Sequence, residues 1–133
     1  MDRAETGRAG ERASAMRYIR LGCTLLEHNY HTRFGEIDLI LRSPDGELIL
    51  CEVKTRSPRA MVRGAAAVDS HKQRRLILAA QQYLQQTNQS DMPIRFDVAE
   101  VVPLDSGRWM VHIIKGAFVC EGPSYGAAEQ IDI

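Results

Sequence analysis

The clearest pattern in the chain is a pair of alternating runs on either side of a turn, residues 34–42 and 47–54. Between them, Ser43-Pro44-Asp45-Gly46 has turn chemistry. Pro44 pre-sets a negative φ, Asp45 can bond the local backbone, and Gly46 can adopt the left-handed conformation. A type I turn closed by a left-handed glycine gives a short hairpin loop with a bulge. In that register Ser43 faces Glu47, Asp38 faces Glu52, and Glu36 faces Lys54. Strand alternation puts Glu36, Asp38 and Ile40 on one face with Leu50, Glu52 and Lys54. Ile37, Leu39, Leu41, Ile49, Cys51 and Val53 form the other, wholly apolar face, the expected core face.

The rest of the chain supplies elements around this hairpin. Residues 6–21 read as a helix, with Ala9, Ala13, Met16 and Ile19 as its apolar stripe and Gly22 as terminator. Glu11, Ala15 and Tyr18 make a second stripe beside the first, while Arg12, Arg17 and Arg20 lie mainly elsewhere. Gly7 and Gly10 weaken the first turns, or admit another backbone close by. Residues 23–30 read as a strand, and 31–35 as a connection into the hairpin. After Lys54 comes a long loop, residues 55–68, of the length that is often functional. Asp69 or Ser70 then caps a helix to about Gln86, with Leu76, Ala79, Ala80, Tyr83 and Leu84 as its buried face. Strands follow at 94–102 and 108–114, the last an edge strand, with Phe118 as a plug for the core. The expected order is α-β-β-β-α-β-β, an α/β fold whose mixed sheet is flanked by helices. Residues 1–120 read as one domain, and 121–133 as a disordered polar tail.

Composition narrows the function classes. Seventeen basic and seventeen acidic residues cancel, which argues against a protein that coats nucleic acid through charge alone. The charge is nevertheless uneven. Lys54, Arg56, Arg59, Arg63, Lys72, Arg74 and Arg75 stand against Asp69 alone, and the part from Asp91 onward is mostly acidic. Cys23, Cys51 and Cys120 are odd in number and widely spaced, which fits neither a disulfide framework nor a zinc site. There is no signal-peptide pattern and no run long enough to span a membrane, so a cytoplasmic protein with no membrane or disulfide-linked partner is expected.

The candidate chemistry lies in the hairpin. Two carboxylates opposed at Cβ separations of about 5 Å repel unless a cation or a proton sits between them. Mg²⁺ is one resolution, since one or two carboxylates with waters and phosphates suffice to hold it. A solvated sheet face with Lys54 as a salt-bridge partner is the other reading of the same pattern.

The ordered set Glu11, then Gly35-Glu36-Ile37-Asp38-Leu39-Ile40, then Glu52-Val53-Lys54 resembles the PD-(D/E)XK nuclease superfamily, and within it the archaeal Holliday junction resolvases. To about Phe118 the chain also resembles the small bacterial family of YraN-type proteins, described as resolvase-like. Gly7-x-x-Gly10-Glu11, Asn29-Tyr30-x-x-Arg33, Lys72-x-x-Arg75-Leu76 and Arg95-Phe96-Asp97-Val98 extend that match. Ile37 stands where the superfamily's name has Pro. The resemblance implies a restriction-endonuclease-like core and a metal-dependent endonuclease acting on branched or structured DNA. It implies Mg²⁺ or Mn²⁺ on Asp38, Glu52 and the Val53 carbonyl, with Glu11 joining through water or a second ion. Lys54 would orient the attacking water, and Arg33, Arg56, Lys72 and Arg75 would contact phosphates. A homodimer is also implied, because a junction presents two symmetric cleavage points. The alternatives are a nucleic-acid-binding module that keeps the fold without cutting, and a protein-interaction domain.

Overall fold

A computed structural model of the chain describes residues 2–56, 68–89 and 91–119. The predicted loop arginines Arg59 and Arg63, Cys120 and the predicted tail lie outside the described residues. The elements are α1 (Arg3–Arg20), β1 (Thr24–Thr32), β2 (Gly35–Arg42), β3 (Leu48–Thr55), α2 (Ser70–Gln86), β4 (Ile94–Pro103) and β5 (Trp109–Phe118). The five strands form one mixed sheet in the order β1-β2-β3-β4-β5. Only the β3–β4 pair is parallel. The chain returns from β3 to β4 through α2, as a parallel pair requires a crossover.

The hairpin has the expected register. Leu39 pairs with Cys51, Ile40 with Leu50, Leu41 with Ile49 and Arg42 with Leu48. Its turn is closed by Ser43 N–H to Glu47 O at 2.8 Å and Gly46 N–H to Ser43 O at 2.9 Å, with Gly46 at φ 89°. α2 also follows its sequence. The Asp69 side chain accepts from Lys72 N–H at 2.8 Å, and Leu76, Ala79, Ala80, Tyr83 and Leu84 are its buried residues. Burying each such leucine contributes about 1.5–3 kcal/mol.

Four expectations are corrected. The hairpin has two core faces rather than one. Leu39, Leu41, Ile49 and Cys51 pack with Ala15 and Tyr18 of α1. Ile40, Leu48 and Leu50 pack with α2 residues, together with Phe96 and Val98. Central strands covered on both faces carry near-continuous apolar runs, so alternation alone understated the burial.

The buried face of α1 is the second stripe, not the first. Gly10, Ser14, Ala15 and Tyr18 are buried, whereas Met16 and Ile19 are 45% and 44% exposed. Gly10 sets this choice. A Cβ on it would lie 2.7 Å from Thr55 Oγ1, so a larger residue would force the Thr55 side chain or the helix to shift. The helix also starts earlier than expected, at Arg3, because Asp2 and Glu5 form a capping box.

β5 runs on to Phe118, whose ring stacks on Phe96 with centroids 4.8 Å apart. Phe118 therefore extends a strand as well as filling the core.

A buried polar network ties α1 to the sheet. The Tyr18 hydroxyl donates to Asp97 Oδ2 at 2.7 Å. Arg95 donates to the same carboxylate at 2.8 and 2.9 Å, and Gly116 N–H at 3.0 Å. Burial, with Cys51 and Asp97 alongside, pushes the Tyr18 phenol upward, so it remains a donor. Tyr18→Phe removes one bond but leaves Asp97 its other donors, so a loss of about 1–2 kcal/mol is expected in urea unfolding. Asp97→Ala removes the two-bond partner of Arg95, leaves it only Glu47, and should cost more, about 3 kcal/mol. Equal stability of the two variants would contradict the network.

Candidate metal centre

The site begins where β2 and β3 part. Their paired residues end at Leu39 and Cys51, while β3 stays paired to β4 as far as Thr55. Val53 N–H therefore faces β2 beyond the end of the ladder. It is taken up by the Asp38 carboxylate, Val53 N to Asp38 Oδ2 at 2.8 Å. A side chain substitutes for a backbone acceptor, and the carboxylate is held in the opening between the strands.

β1 is irregular at the same level. The pairs His28–Leu39 and Tyr30–Ile37 leave Asn29 opposite Asp38. Asn29 has φ 49°, a left-handed conformation that asparagine tolerates better than most residues. Its side-chain amide donates to Glu11 Oε1 at 3.0 Å. α1, β1, β2 and β3 thus meet around Asp38.

Glu52 lies two residues beyond Leu50, on the α2 face, and is only 7% exposed. Its carboxylate is 3.3 Å from Lys72 Nζ, in the first turn of α2. Asp38 and Glu52 feel each other. Burial, then the Glu52 charge, push the Asp38 carboxyl up to about 7, against the lowering effect of the Val53 N–H. Glu11 and Glu36 add smaller pushes in the same direction.

The other expected residues divide into two groups. Lys54 is half-buried, two residues from Glu52, and pairs in register with Glu100 of β4. Arg56 Nε stands 3.3 Å from Glu100 Oε2. Among the described residues neither atom has a hydrogen-bond partner, so this is an ion pair of poor hydrogen-bond geometry. Arg33 and Arg75 do not join the carboxylates. Arg33 lies over the Phe34 ring, 5.1 Å from its centroid, and Arg75 Nε donates to Phe34 O at 3.2 Å. Both decorate the β1–β2 turn. Val53 serves through its N–H here, and its side chain packs on the α1-side core.

Glu100 was missed by the sequence reading, although a signal was present. It is 2% exposed and is flanked at alternate positions by Val98 and Val102, both fully buried. A lone acid in an apolar stripe marks a built polar site. Its second oxygen lies 3.6 Å from His112 Nδ1.

Asp38 and Glu52 fit a divalent cation as a two-carboxylate set. Glu52 is buried and Asp38 half-buried, burial and then the Glu52 charge push Asp38 upward, and an ammonium already stands at Glu52. Among the described residues no group of three or more His, Cys, Asp or Glu stands close enough to hold an ion by itself. Water and substrate oxygens would complete the shell, as Mg²⁺ allows.

A raised native pKa has a definite sign for stability. Between the ordinary carboxylate value near 4 and about 7, the folded state binds more protons than the unfolded one. Stability therefore falls as pH rises through that window. Asp38→Asn keeps an acceptor for Val53 N–H and removes the penalty. It should raise Tm by a few degrees at pH 8 and change it little at pH 4.5. A variant less stable at pH 8 than at pH 4.5, relative to the natural protein, would contradict the assignment.

The model of uncharacterised protein family UPF0102 matches residues 10–101. A UPF0102 protein of Symbiobacterium thermophilum is 41% identical over 112 residues, covering 84% of this chain and 94% of its own. One from Alcanivorax borkumensis is 38% identical over 117 residues, covering 87% and 93%. One from Cupriavidus taiwanensis is 43% identical over 93 residues, covering 70% of each. Among solved structures, Pyrococcus furiosus SfsA in complex with Ca²⁺ gives a TM-score of 0.37 at 11% identity, over 84% of this chain and 63% of that one. A likeness at that level bears on neither fold nor function. The matched segment contains Glu11, Asp38, Glu52 and Lys54, and the chain belongs to the uncharacterised protein family UPF0102.

Proposed function

We propose that this protein is a divalent-metal-dependent endonuclease with a PD-(D/E)XK-type core, hydrolysing phosphodiester bonds in branched or otherwise structured DNA. One observation carries the reading. A half-buried carboxylate, Asp38, raised to about 7 by burial and by the neighbouring Glu52, faces that buried second carboxylate on the next strand, where an ammonium group already stands. Asp38 and Glu52, with the Val53 carbonyl, would hold Mg²⁺ or Mn²⁺. Bound there, the ion supplies an acidified water and neutralises charge on the phosphoryl oxygens.

The chain's own residues have distinct tasks. The Val53 N–H fixes the orientation of Asp38. Lys72 holds Glu52 in the free protein, and its half-exposed ammonium is free to turn to a phosphate. Lys54, next to Glu52 on the strand, orients the attacking water and donates to the oxygens that gain charge. Glu11, steadied by Asn29, completes the negative wall. Arg56 is held beside the site by Glu100, while Arg33 and Arg75 contact phosphates from the β1–β2 turn. These are positioning contacts, without base readout. A homodimer would match the two cleavage points of a junction. Cys23 and Cys51 are both free thiols, which suits a reducing cytoplasm, and no helix among the described residues is long and apolar enough to cross a membrane.

A non-cutting DNA-binding module is the second reading, favoured by the Lys72 ammonium already neutralising Glu52. A cleavage screen separates the two. With Mg²⁺ or Mn²⁺, nicks are expected in at least one of four-way junctions, flaps, duplex or single strands. Asp38→Asn should lower the rate about a thousandfold or more with the fold retained. Intact substrates, together with no metal binding by calorimetry, would reject the nuclease. A gel shift indifferent to Glu52→Gln and to metal would then support the binding module.

A further inference from the structure

α1 presents a second face, away from the acid pair. Because Gly10, Ser14, Ala15 and Tyr18 turn inward, the flank carrying Arg12, Met16, Arg17 and Arg20 stays outside. Ala9 and Ala13 are small, and they leave room between this flank and the start of β5. The result is a groove of about 470 Å³, whose far wall includes Arg108 and Trp109.

The charge of this groove is one-sided. Arg12, Arg17, Arg20 and Arg108 line it, and among the described residues no carboxylate does. Among the described residues, none of these four guanidinium groups takes part in an ion pair. That is a local excess in a chain whose charges cancel as a whole. Four guanidinium groups left unneutralised along one groove favour a polyanion as occupant. Arginine forks match phosphate oxygens, and they do so more specifically than lysine ammonium groups.

Trp109 narrows the choice of polyanion. It is half-buried in the groove wall, among the arginines. A basic groove with an aromatic face is the construction that binds single strands, phosphates on the cations and a base on the ring. The size agrees. Arg12 and Arg20 are eight residues apart on one helix, about 12 Å at 1.5 Å per residue. That length takes a short run of a single strand.

We propose that the α1–β5 groove binds a single nucleic-acid strand, with phosphates on Arg12, Arg17, Arg20 and Arg108 and a base against Trp109. The choice of polymer rests on the nucleic-acid reading above; the place rests on the groove alone. The groove is then a docking track that holds one arm or strand of a substrate while the acid pair meets another part of it.

The chain contains a single tryptophan, so its emission reports on this groove and nowhere else. Full-length protein in metal-free buffer is titrated with a thymidine 12-mer. Saturable quenching of Trp109 is expected, weakening with salt at a log–log slope of about −0.7 per phosphate contact. Arg17→Gln and Arg108→Gln, both at exposed positions, should each flatten that slope by about 0.7 and weaken binding severalfold. Trp109→Ala should weaken binding about tenfold. Three results would overturn the proposal. They are no binding at 50 mM salt, binding by anisotropy with emission and slope unmoved by the arginine variants, and equal quenching by polyglutamate. The two readings fail separately. Metal-dependent cleavage without quenching removes the groove and leaves the nuclease, whereas quenching without cleavage or metal binding does the reverse.

Discussion

The hydrogen bond from Val53 N–H to the Asp38 carboxylate is the contact on which the candidate site depends. β3 cannot follow both neighbours along its whole length. It stays with β4, in parallel register to Thr55, and leaves β2 after Cys51. An opening in a central sheet would strand a backbone donor away from water, which costs about 1–3 kcal/mol. A carboxylate from β2 takes that donor. The repair places a charge inside the protein, beside the second charge of Glu52, and the two raise Asp38 towards neutrality. The strain of the fold and the chemistry of the site are therefore one arrangement.

The remaining architecture keeps that opening in place. α1 is held at close range by Gly10 and locked by the Tyr18–Asp97–Arg95 network, which brings Glu11 within reach of Asn29. α2 covers the other face and presents Lys72 to Glu52 from its capped first turn. Glu100 and Arg56 extend the buried charge along β4 and β3.

Much of this was legible in the sequence, for local reasons. The hairpin register followed from one turn, and the turn from Pro44, Asp45 and Gly46. α2 followed from Asp69 and a regular apolar face. The face of α1 was misjudged because larger residues were given weight over small ones. Tight packing selected Gly10, Ser14 and Ala15, and left Met16 outside. Arg33 and Arg75 were expected as phosphate contacts, and their place at the β1–β2 turn was not legible, because order in the chain does not encode which side of a turn a long side chain covers. Lys72 was expected as a phosphate contact, and its place 3.3 Å from Glu52 was not legible. Such pairings depend on how a helix sits on a sheet, which no local pattern specifies.

The central claim is that the parting of β2 and β3 builds a cation site from Asp38 and Glu52. A crystal of the natural protein soaked in Mn²⁺ tests it directly, by anomalous scattering. The account predicts a peak at bonding distance from carboxylate oxygens of both residues, with Lys72 displaced from Glu52. A Mn²⁺-soaked crystal with no peak there, and Lys72 still on Glu52, would contradict it.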